Sequence, residues 1–489
     1  MSFGVKTGAA SRWSQALLLI FLFTLPLVNP WVRGDGVGYY AYARAMLVEH
    51  RLDFQKDWLS ANSSFAMERL DSAGNLVPGN FTPTGHIDNH FSVGPAILWL
   101  PFLAVTHAAV LLADRLGAHV PADGFSSPYI ITMAMATALY GFLGLWISFL
   151  LARRFFAEQW AFLATLGIWF ASSLPVYMYF NPSWSHAHSA FAAALFLWYW
   201  ERTRMLRTLL QWAALGLLAG LLLDVYYPNF IFLLAPGIES LLKYAPAIRK
   251  PSAEGKLGTL IAGNLAFGVA TFVAFLPTLV TRAIIYGSPF VSGYVPVEAW
   301  MWMRPNFLAV LFSSDHGLLS WTPIVLPAVL GLFALRRRDA ELGWILLGIV
   351  AAYYYFIASY PTWDGISSYG NRFFISLTPI FILGLAGAFE ALEHFWPARR
   401  AHIAAYCATA ILIVWNLGFI FQWGTHLVPA RGPISWHQMV YNQFAVVPVE
   451  FTRKVERYAI HRSELMHDIE TGDVEQLHKP RSSHPQEHP

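Results

Sequence analysis

Charge and cysteine are both scarce in this sequence. Charged residues make up 12% of the 489-residue chain, whereas a soluble domain usually has about 25%. The formal net charge of +3 is too small to indicate a nucleic-acid partner. Cys407 is the single cysteine, so an internal disulfide is excluded, and its apolar neighbours indicate a protonated, unreactive thiol. The chain is 56% hydrophobic, which indicates a polytopic membrane protein.

Long apolar runs fill most of the chain. A helix needs roughly 20 apolar residues to cross a bilayer, and several runs approach or exceed that length. The sequence therefore predicts an all-α polytopic membrane protein with a bundle of about eleven transmembrane helices. The predicted spans are 13–32, 128–150, 159–179, 186–200, 210–226, 228–243, 258–281, 318–335, 341–359, 374–396 and 401–423.

The distribution of Lys and Arg sets the orientation, because short cytoplasmic loops collect these residues. With the predicted spans, every basic cluster falls on the inner side. We expect the apolar segment 92–113 to lie at the outer interface or to re-enter partway, since its crossing would move every later cluster outside. A true extra span with inverted topology is the alternative. The clusters are Lys6/Arg12, Arg153-Arg154, Arg202/Arg204/Arg207, Lys243/Arg249/Lys250/Lys256, Arg336-Arg337-Arg338 and Arg399-Arg400.

This orientation divides the chain into two parts. Residues 1–423 form the transmembrane domain, with an inner N-terminus and a first external loop, 33–127, that contains interfacial helices. Residues 424–489 form an extracytoplasmic tail, whose end, Lys479 to Pro489, is polar enough to be disordered. The unusual polar residues cluster in the predicted outer loops, so we expect the chemistry on that side.

The strongest candidate for chemistry is Asp35, which lies between two glycines directly after the first apolar run. An acidic residue beside a span is costly to keep without a purpose, and a carboxylate can act as a general base or a metal ligand. Tyr39 and Tyr40 follow it, and tyrosines favour the membrane–water boundary. We expect both to line a substrate cavity. The structural alternative is that Asp35 caps the helix after it.

A late loop offers a candidate anion site. Arg372 follows Asn371 at the outer start of a predicted span. A guanidinium can hold a phosphate with paired donors, and a helix start favours anions, whereas the alternative is an arginine that snorkels towards headgroups. We expect Asn371 to line the same cavity. Asp224 and His316 lie at ends of apolar runs, where each could line the cavity or equally cap a helix.

The segment His86-Ile87-Asp88-Asn89-His90 is a weak candidate for a metal site. Alternate residues of an extended segment face one way, so His86, Asp88 and His90 could converge on a divalent metal such as Zn or Mn. A solvated loop is the alternative, and the sequence makes no cofactor certain.

The first external loop resembles that of the GT-C glycosyltransferases, membrane enzymes that take a sugar from a polyprenyl-phosphate donor. The likeness is closest to the protein O-mannosyltransferase and bacterial aminoarabinose-transferase branch, and segments 34–50, 86–102 and 365–374 carry it. The resemblance implies a catalytic role for Asp35 and a phosphate near Arg372. The relatives often have a second acidic residue where this chain has His186, which makes His186 a candidate contact to phosphate or acceptor. A helix-start histidine bonded to the backbone is the alternative.

The resemblance implies an integral membrane glycosyltransferase of the bacterial inner membrane, with its site facing the periplasm. It would move a sugar from a polyprenyl-phosphate donor to a glycan, lipid or protein acceptor. The alternatives are a polysaccharide polymerase or ligase, which would depend on arginines in two large outer loops, and a lipid-linked glycan transporter. A transporter would keep its charges near the bilayer midplane, whereas the acidic groups here lie in predicted outer loops.

Overall fold

The computed structural model describes residues 11–249, 254–291, 293–429 and 431–478. Within these ranges the chain is helical, with two isolated β-bridges and no β-strand, so the predicted all-α fold class is confirmed. Lys6 and Lys250 of the basic clusters, and the predicted disordered end 479–489, lie outside the described residues. The α-helices are α1 (Arg12–Thr24), α2 (Asp35–Arg44), α3 (Gln55–Leu59), α4 (Ser63–Ala66), α5 (Gly94–Arg115), α6 (Ser127–Ala152), α7 (Glu158–Phe170), α8 (His186–Thr203), α9 (Leu209–Val225), α10 (Leu234–Arg249), α11 (Glu254–Tyr286), α12 (Phe307–Phe312), α13 (Leu318–Trp321), α14 (Val325–Arg338), α15 (Ala340–Ala358), α16 (Thr378–Leu392), α17 (Ala398–Gly424), α18 (Trp436–Tyr441), α19 (Val447–Ile460) and α20 (Arg462–His478).

Tighter and wider turns interrupt or extend these helices. The 3₁₀ segments are Leu25–Leu27, Pro78–Asn80, Tyr227–Leu233, Val297–Ala299 and Arg372–Leu377. The π-helical segments are Ala45–Glu49, Val176–Phe180 and Asn442–Val446. Such π turns are common near functional sites.

Six of the described helices are long and apolar enough to cross a membrane. One is α5, and the others coincide with predicted spans: Ser127–Ala152, Leu257–Tyr286, Ala340–Ala358, Arg372–Leu392 and Ala398–Gly424. The remaining predicted spans form shorter or interrupted helices. Pro323, for example, separates α13 from α14, because proline lacks the N–H that a continuous helix needs.

The described arginine clusters share one end of the bundle. Arg153 follows α6, Arg338 ends α14, and Arg399 lies in the first turn of α17. The guanidinium of Arg338 donates to the carbonyl oxygen of Phe155, which joins the loop after α6 to the end of α14. We call this the basic end, and the opposite end, where α8 begins and α17 ends, the site end.

Helix α5 occupies the segment that the sequence predicted to stop short of crossing. The hydroxyl of Tyr140 donates to the Leu98 carbonyl at 3.1 Å, and His107 Nδ1 lies 2.7 Å from the Tyr129 hydroxyl. Later residues of α5 therefore pair with earlier residues of α6, so α5 runs antiparallel to the first half of α6 and away from Arg153. That α5 does not cross stays a prediction, which this placement supports.

Glycines bring α14 and α16 into close contact. A Cβ on Gly384 would collide with the carbonyl oxygen of Ala328, and a Cβ on Gly331 would collide with that of Gly384. Small residues allow such backbone approach where lipid removes the hydrophobic drive between helices. The crossing fixes α16, and with it the 3₁₀ turn Arg372–Leu377 that precedes α16.

Gly384→Ala is expected to lower the free energy of unfolding by about 1–3 kcal/mol, because overpacking forces the two backbones apart. The matched control is Gly348→Ala in α15, where a Cβ would meet open space. That control should keep or slightly raise stability, because alanine favours a helix over glycine. Thermal unfolding in one detergent compares the two, and equal melting temperatures would contradict the close crossing.

The C-terminal part folds back onto the bundle, and the extracytoplasmic placement of residues 424–489 stays a prediction. Helices α18 and α19 lie beside α17, and α20 reaches the site end. The charged stretch 450–469 is divided at His461 between α19 and α20. The division lies where Arg462 turns to the outer end of α1, donating to the carbonyl oxygens of Pro26 and Val28 at 2.9 and 2.8 Å.

Candidate functional site

The site begins at the sharp entry to α2. Gly34 has a φ of +54°, which glycine adopts without steric cost, and Asp35 is the first residue of the helix. A Cβ on Gly36 would collide with Ser183, and one on Gly38 with the ring of Phe91. The glycine spacing therefore lets the start of α2 pack directly against two other loops, which fixes the position of Asp35.

Asp35 forms an ion pair with Arg372. The distance from Arg372 Nη2 to Asp35 Oδ2 is 2.9 Å, and the side chains are 10% and 33% exposed, respectively. The guanidinium carbon also lies 4.2 Å from the centre of the Trp184 ring. Nε and Nη1 of Arg372 are buried and have no hydrogen-bond partner among the described residues. Arg372 can therefore keep Asp35 and bind a second anion through the remaining donors.

The pair lies on the wall of a cavity at the site end, with a volume of about 300 Å³. The cavity meets residues of the first external loop, the loop before Arg372, the end of α17 and helix α20. Four arginines and three carboxylates line it: Arg33, Arg69, Arg372, Arg431, Asp35, Glu68 and Asp473. Volumes of this size accept small ligands, and the charges suit a ligand with both polar and anionic groups.

Three predicted residues lie beside the pair. Tyr39 is buried against Phe91, with ring centres 5.0 Å apart, and burial raises the pKa of Tyr39 well above its ordinary value. His90 lines the cavity, and burial lowers its pKa, so the imidazole is neutral near pH 7. Asn371 is buried and donates to the Trp363 carbonyl at 3.0 Å, so it holds the loop that presents Arg372.

Four other predicted residues lie elsewhere. Tyr40 points away and donates to the Gly124 carbonyl at 2.7 Å. Asp224 accepts a 2.5 Å hydrogen bond from Thr278. The ring of His316 lies 2.9 Å from the Asp364 carbonyl oxygen. Each of these three bonds within the protein, and none is on the wall of this cavity; that they line a substrate cavity stays a prediction.

His186 is the fourth, and it lies behind the wall. Its ring packs 4.7 Å from that of Tyr177 and 5.4 Å from that of Tyr226. Trp184 lies between the two basic groups, 6.1 Å from His186 and 4.2 Å from the guanidinium of Arg372. The structure therefore gives His186 an aromatic cage instead of a place on the cavity wall, and a phosphate contact stays a prediction.

The predicted metal ligands do not converge. His86 Nδ1 lies 3.0 Å from the Thr84 hydroxyl, Asp88 accepts a hydrogen bond from Tyr286, and His90 faces the cavity. Within the described ranges, no three His, Cys, Asp or Glu side chains form a group that could hold a metal. His86 lies in a bend just before the bridge residue Ile87, so the segment is not extended throughout.

Two arginines that the sequence analysis did not single out also lie at or next to the cavity. Arg69 stacks 3.8 Å from the ring centre of Phe65 and forms no ion pair in the part of the chain described, and burial lowers its pKa. Arg282 donates to the His90 carbonyl at 2.6 Å, and its buried Nη1 has no partner among the described residues. Neither arginine belongs to a sequence motif, so the sequence did not indicate that they lie near the site.

A buried ion pair braces the far end of α2. Arg44 donates to both carboxylate oxygens of Asp57, at 2.7 and 2.6 Å, and to Glu49 at 3.1 Å. The side chains of Arg44 and Asp57 are 1% and 3% exposed. Such a bidentate pair fixes the geometry of both partners, so it ties the first external loop to the helix that begins with Asp35.

Asp57→Asn is expected to lower the free energy of unfolding by about 3–5 kcal/mol, because Arg44 would keep a buried charge without a full partner. The control is Asp53→Asn, whose ion pair with Arg51 is exposed and worth about 0–1 kcal/mol. Thermal unfolding of the purified variants measures both changes. A shift for Asp57→Asn no larger than that of the control would show that the pair does not brace the loop.

The solved structures to which the chain is similar include two membrane proteins. ArnT from Cupriavidus metallidurans in the apo state is 17% identical, with a TM-score of 0.47, over 95% of this chain and 73% of that one. The oligosaccharyltransferase of Archaeoglobus fulgidus, in complex with zinc and sulfate, is 14% identical, with a TM-score of 0.43, over 86% of this chain and 58% of that one. No protein-family model and no curated protein matches the chain.

At such identities and TM-scores the likeness carries no argument about function. We therefore derive the function from the site of this chain.

Proposed function

We propose that the protein is an integral membrane glycosyltransferase that moves a sugar from a polyprenyl-phosphate donor to an acceptor on the extracytoplasmic side. One observation carries the proposal: a carboxylate and a guanidinium form a 2.9 Å pair on a cavity wall at the site end. Transfer from a lipid phosphate needs a base for the acceptor and a cation for the leaving group, and the pair supplies both.

The donor phosphate would bind Arg372 through its unpartnered nitrogens. A guanidinium is planar and holds phosphate oxygens with paired hydrogen bonds. The guanidinium stacks on the ring of Trp184, and this contact keeps the guanidinium in one orientation. Arg69 on the same wall has no carboxylate partner among the described residues, so it can attract the anion without first breaking an ion pair.

Asp35 would act as the general base. The acceptor hydroxyl or amine attacks the anomeric carbon, and its proton passes to the Asp35 carboxylate. The bond from the anomeric carbon to the phosphate oxygen breaks, and the electron pair leaves with the polyprenyl phosphate. Attack opposite the leaving group inverts the anomeric configuration. Arg372 would stabilise the charge that develops on the phosphate.

The test is donor turnover by the full-length protein in membrane vesicles. Each vesicle sample receives one radiolabelled polyprenyl-phosphate sugar, and control vesicles come from cells without the protein. Consumption of one donor only where the protein is present, with release of polyprenyl phosphate, is the expected result. The anomeric configuration of the product, read by NMR, tests inversion.

Two results would overturn the proposal. If no donor is consumed but the vesicles join lipid-linked oligosaccharides to an acceptor, the protein is a polymerase or ligase. If lipid-linked glycans cross the bilayer unchanged, it is a transporter.

A further inference from the structure

A continuous helical arm follows the last predicted span. It consists of α18 (Trp436–Tyr441), the π-helical turn Asn442–Val446 and α19 (Val447–Ile460). We call residues 436–460 the C-terminal arm. The sequence alone placed this arm in the extracytoplasmic tail. The arrangement of its side chains indicates an environment other than water.

The polarity of the arm is inverted between residues 436 and 446. Gln443 is buried, accepts a 2.8 Å hydrogen bond from Gln422 and donates to the Trp415 carbonyl at 3.1 Å. Asn442 is buried and donates to the Leu427 carbonyl at 2.9 Å. The large apolar side chains point outward instead: Trp436, Val440, Tyr441 and Phe444 are 42–70% exposed. Polar groups facing the protein and apolar groups facing out suit lipid, not water.

The arm lies beside α17 well below the end of that helix. Phe444 packs 6.3 Å from Trp415, measured between ring centres, and Phe451 packs 5.6 Å from Phe421. Trp415 precedes the end of α17 at Gly424 by nine residues, which corresponds to about 14 Å along a helix axis. The arm thus reaches into the depth range of a helix that is long and apolar enough to cross a membrane.

The exposed apolar surface of the arm continues that of α17. Ile411, Val414 and Leu417 of α17 are exposed, as expected of side chains that face acyl chains. We propose that the first half of the C-terminal arm, residues 436–446, is embedded in the bilayer leaflet at the site end, with acyl chains as the partner of its apolar surface, and that α19 leads from there to the headgroups. This placement does not depend on which sugar the protein transfers.

The charges of α19 fit the same placement. Its apolar residues Val447, Phe451, Val455 and Tyr458 lie along one stripe at helical spacing. Val447, Phe451 and Tyr458 of this stripe contact the bundle. Arg453 lies on the opposite side and is exposed, where a basic side chain can reach anionic headgroups.

The far end of the arm is tied to the bundle. Tyr458 donates to the Leu27 carbonyl at 2.7 Å, close to the Arg462 contacts that also hold the outer end of α1. The arm is thus fixed at both ends, to α17 and to α1.

The arm carries α20 to the cavity. Asp473 of α20 pairs with Arg33 and lies 3.0 Å from His426. Glu470 accepts a 2.6 Å hydrogen bond from the Ser64 backbone and a 2.9 Å bond from Asn62. Since α20 starts two residues after the arm ends, the lipid-embedded arm sets the position of one cavity wall.

Spin labels measure whether the arm lies in lipid. The full-length protein carries Cys407→Ala, because the native cysteine is exposed, and single cysteines replace Val440, Tyr441 or Phe444, which are exposed. The labelled proteins are reconstituted in vesicles of phosphatidylcholine and phosphatidylglycerol. Collisions with oxygen, which concentrates in lipid, are compared with collisions with a nickel chelate, which stays in water.

The three arm labels should show an oxygen-to-nickel ratio several-fold higher than Ser463→Cys, an exposed position on α20. Ile411→Cys on α17 supplies the lipid-facing reference. Nickel access at Tyr441 and Phe444 equal to that at Ser463 would overturn the proposal. So would low access to both reagents with spin–spin broadening, because a second copy of the chain would then cover the arm. Unchanged thermal unfolding of each labelled protein shows that the label has not displaced the arm.

Discussion

Replacing Asp35 by Asn is expected to lower the rate of sugar transfer by at least about 10²-fold, since general-base catalysis contributes roughly 10²–10⁴-fold. Asparagine keeps the shape of the side chain but cannot take the acceptor proton. Asp35 is one-third exposed and lies at a helix start, so the substitution leaves no buried cavity, and the protein should still fold. The measurement is single-turnover donor consumption at saturating donor.

The matched control is Asp114→Asn, the same substitution at an exposed carboxylate near the end of α5. It should retain the wild-type rate and melting temperature. If Asp35→Asn transfers sugar as fast as this control, Asp35 is not the base, and a capping role for its carboxylate is the better account.

Arg372→Lys is expected to lower the transfer rate by about 10²–10³-fold, the usual loss when one oxyanion donor is removed. Lysine keeps the charge, but its ammonium is a single point and cannot bond Asp35 and a phosphate in one plane. It also lacks the flat surface that stacks on Trp184. The loss should appear in the rate constant of the chemical step more than in donor affinity, because charge on the leaving phosphate grows in the transition state.

The rate constant of the chemical step and the donor affinity are measured separately, which shows which of the two the substitution changes. Arg51→Lys is the control, since Arg51 forms an exposed ion pair with Asp53 far from the cavity lining. A weaker donor affinity with an unchanged chemical step would mean that Arg372 only binds the ground state. If the Arg372→Lys variant keeps the wild-type transfer rate and donor affinity, Arg372 does not take part in the reaction.

The sequence predicted the members of the site better than their arrangement. Asp35 and Arg372 each follow from local rules, because an acid beside a span and an arginine at a helix start are unusual wherever they occur. Their contact depends on the close approach of α2 to the loop at Ser183, which involves segments far apart in the chain. No local pattern encodes such a distance.

Three of the residues expected to line the cavity lie away from the cavity described here, for physical reasons of the same kind. Tyr40 was grouped with Tyr39 because both follow Asp35, yet consecutive residues of a helix point in directions about 100° apart, and Tyr40 turns to Gly124. Asp224 and His316 were candidates because they are polar residues at ends of apolar runs. Each instead satisfies a buried neighbour, which composition cannot distinguish from lining a cavity.

The arm and α20 were the least predictable part. Charge and proline made residues 424–489 read as an aqueous tail, since a helix with exposed Arg and Glu usually faces water. The inverted polarity around Gln443 becomes visible only when its bond to the Trp415 carbonyl is known. Arg69 is likewise recognised as a site residue only because it lines the same cavity wall as Arg372. The sequence around it does not differ from that of an ordinary polar loop.

The contact between Arg33 and Asp473 has a consequence for how the protein is made. The two residues are 440 positions apart, so the first external loop emerges from the ribosome long before the carboxylate it will meet. Throughout most of synthesis, Arg33, Asn62 and the Ser64 backbone have none of their α20 partners. A chain that ends before α20 can insert its apolar helices and still carry an open, unfinished cavity. The cavity can therefore close only after α20 has been synthesised.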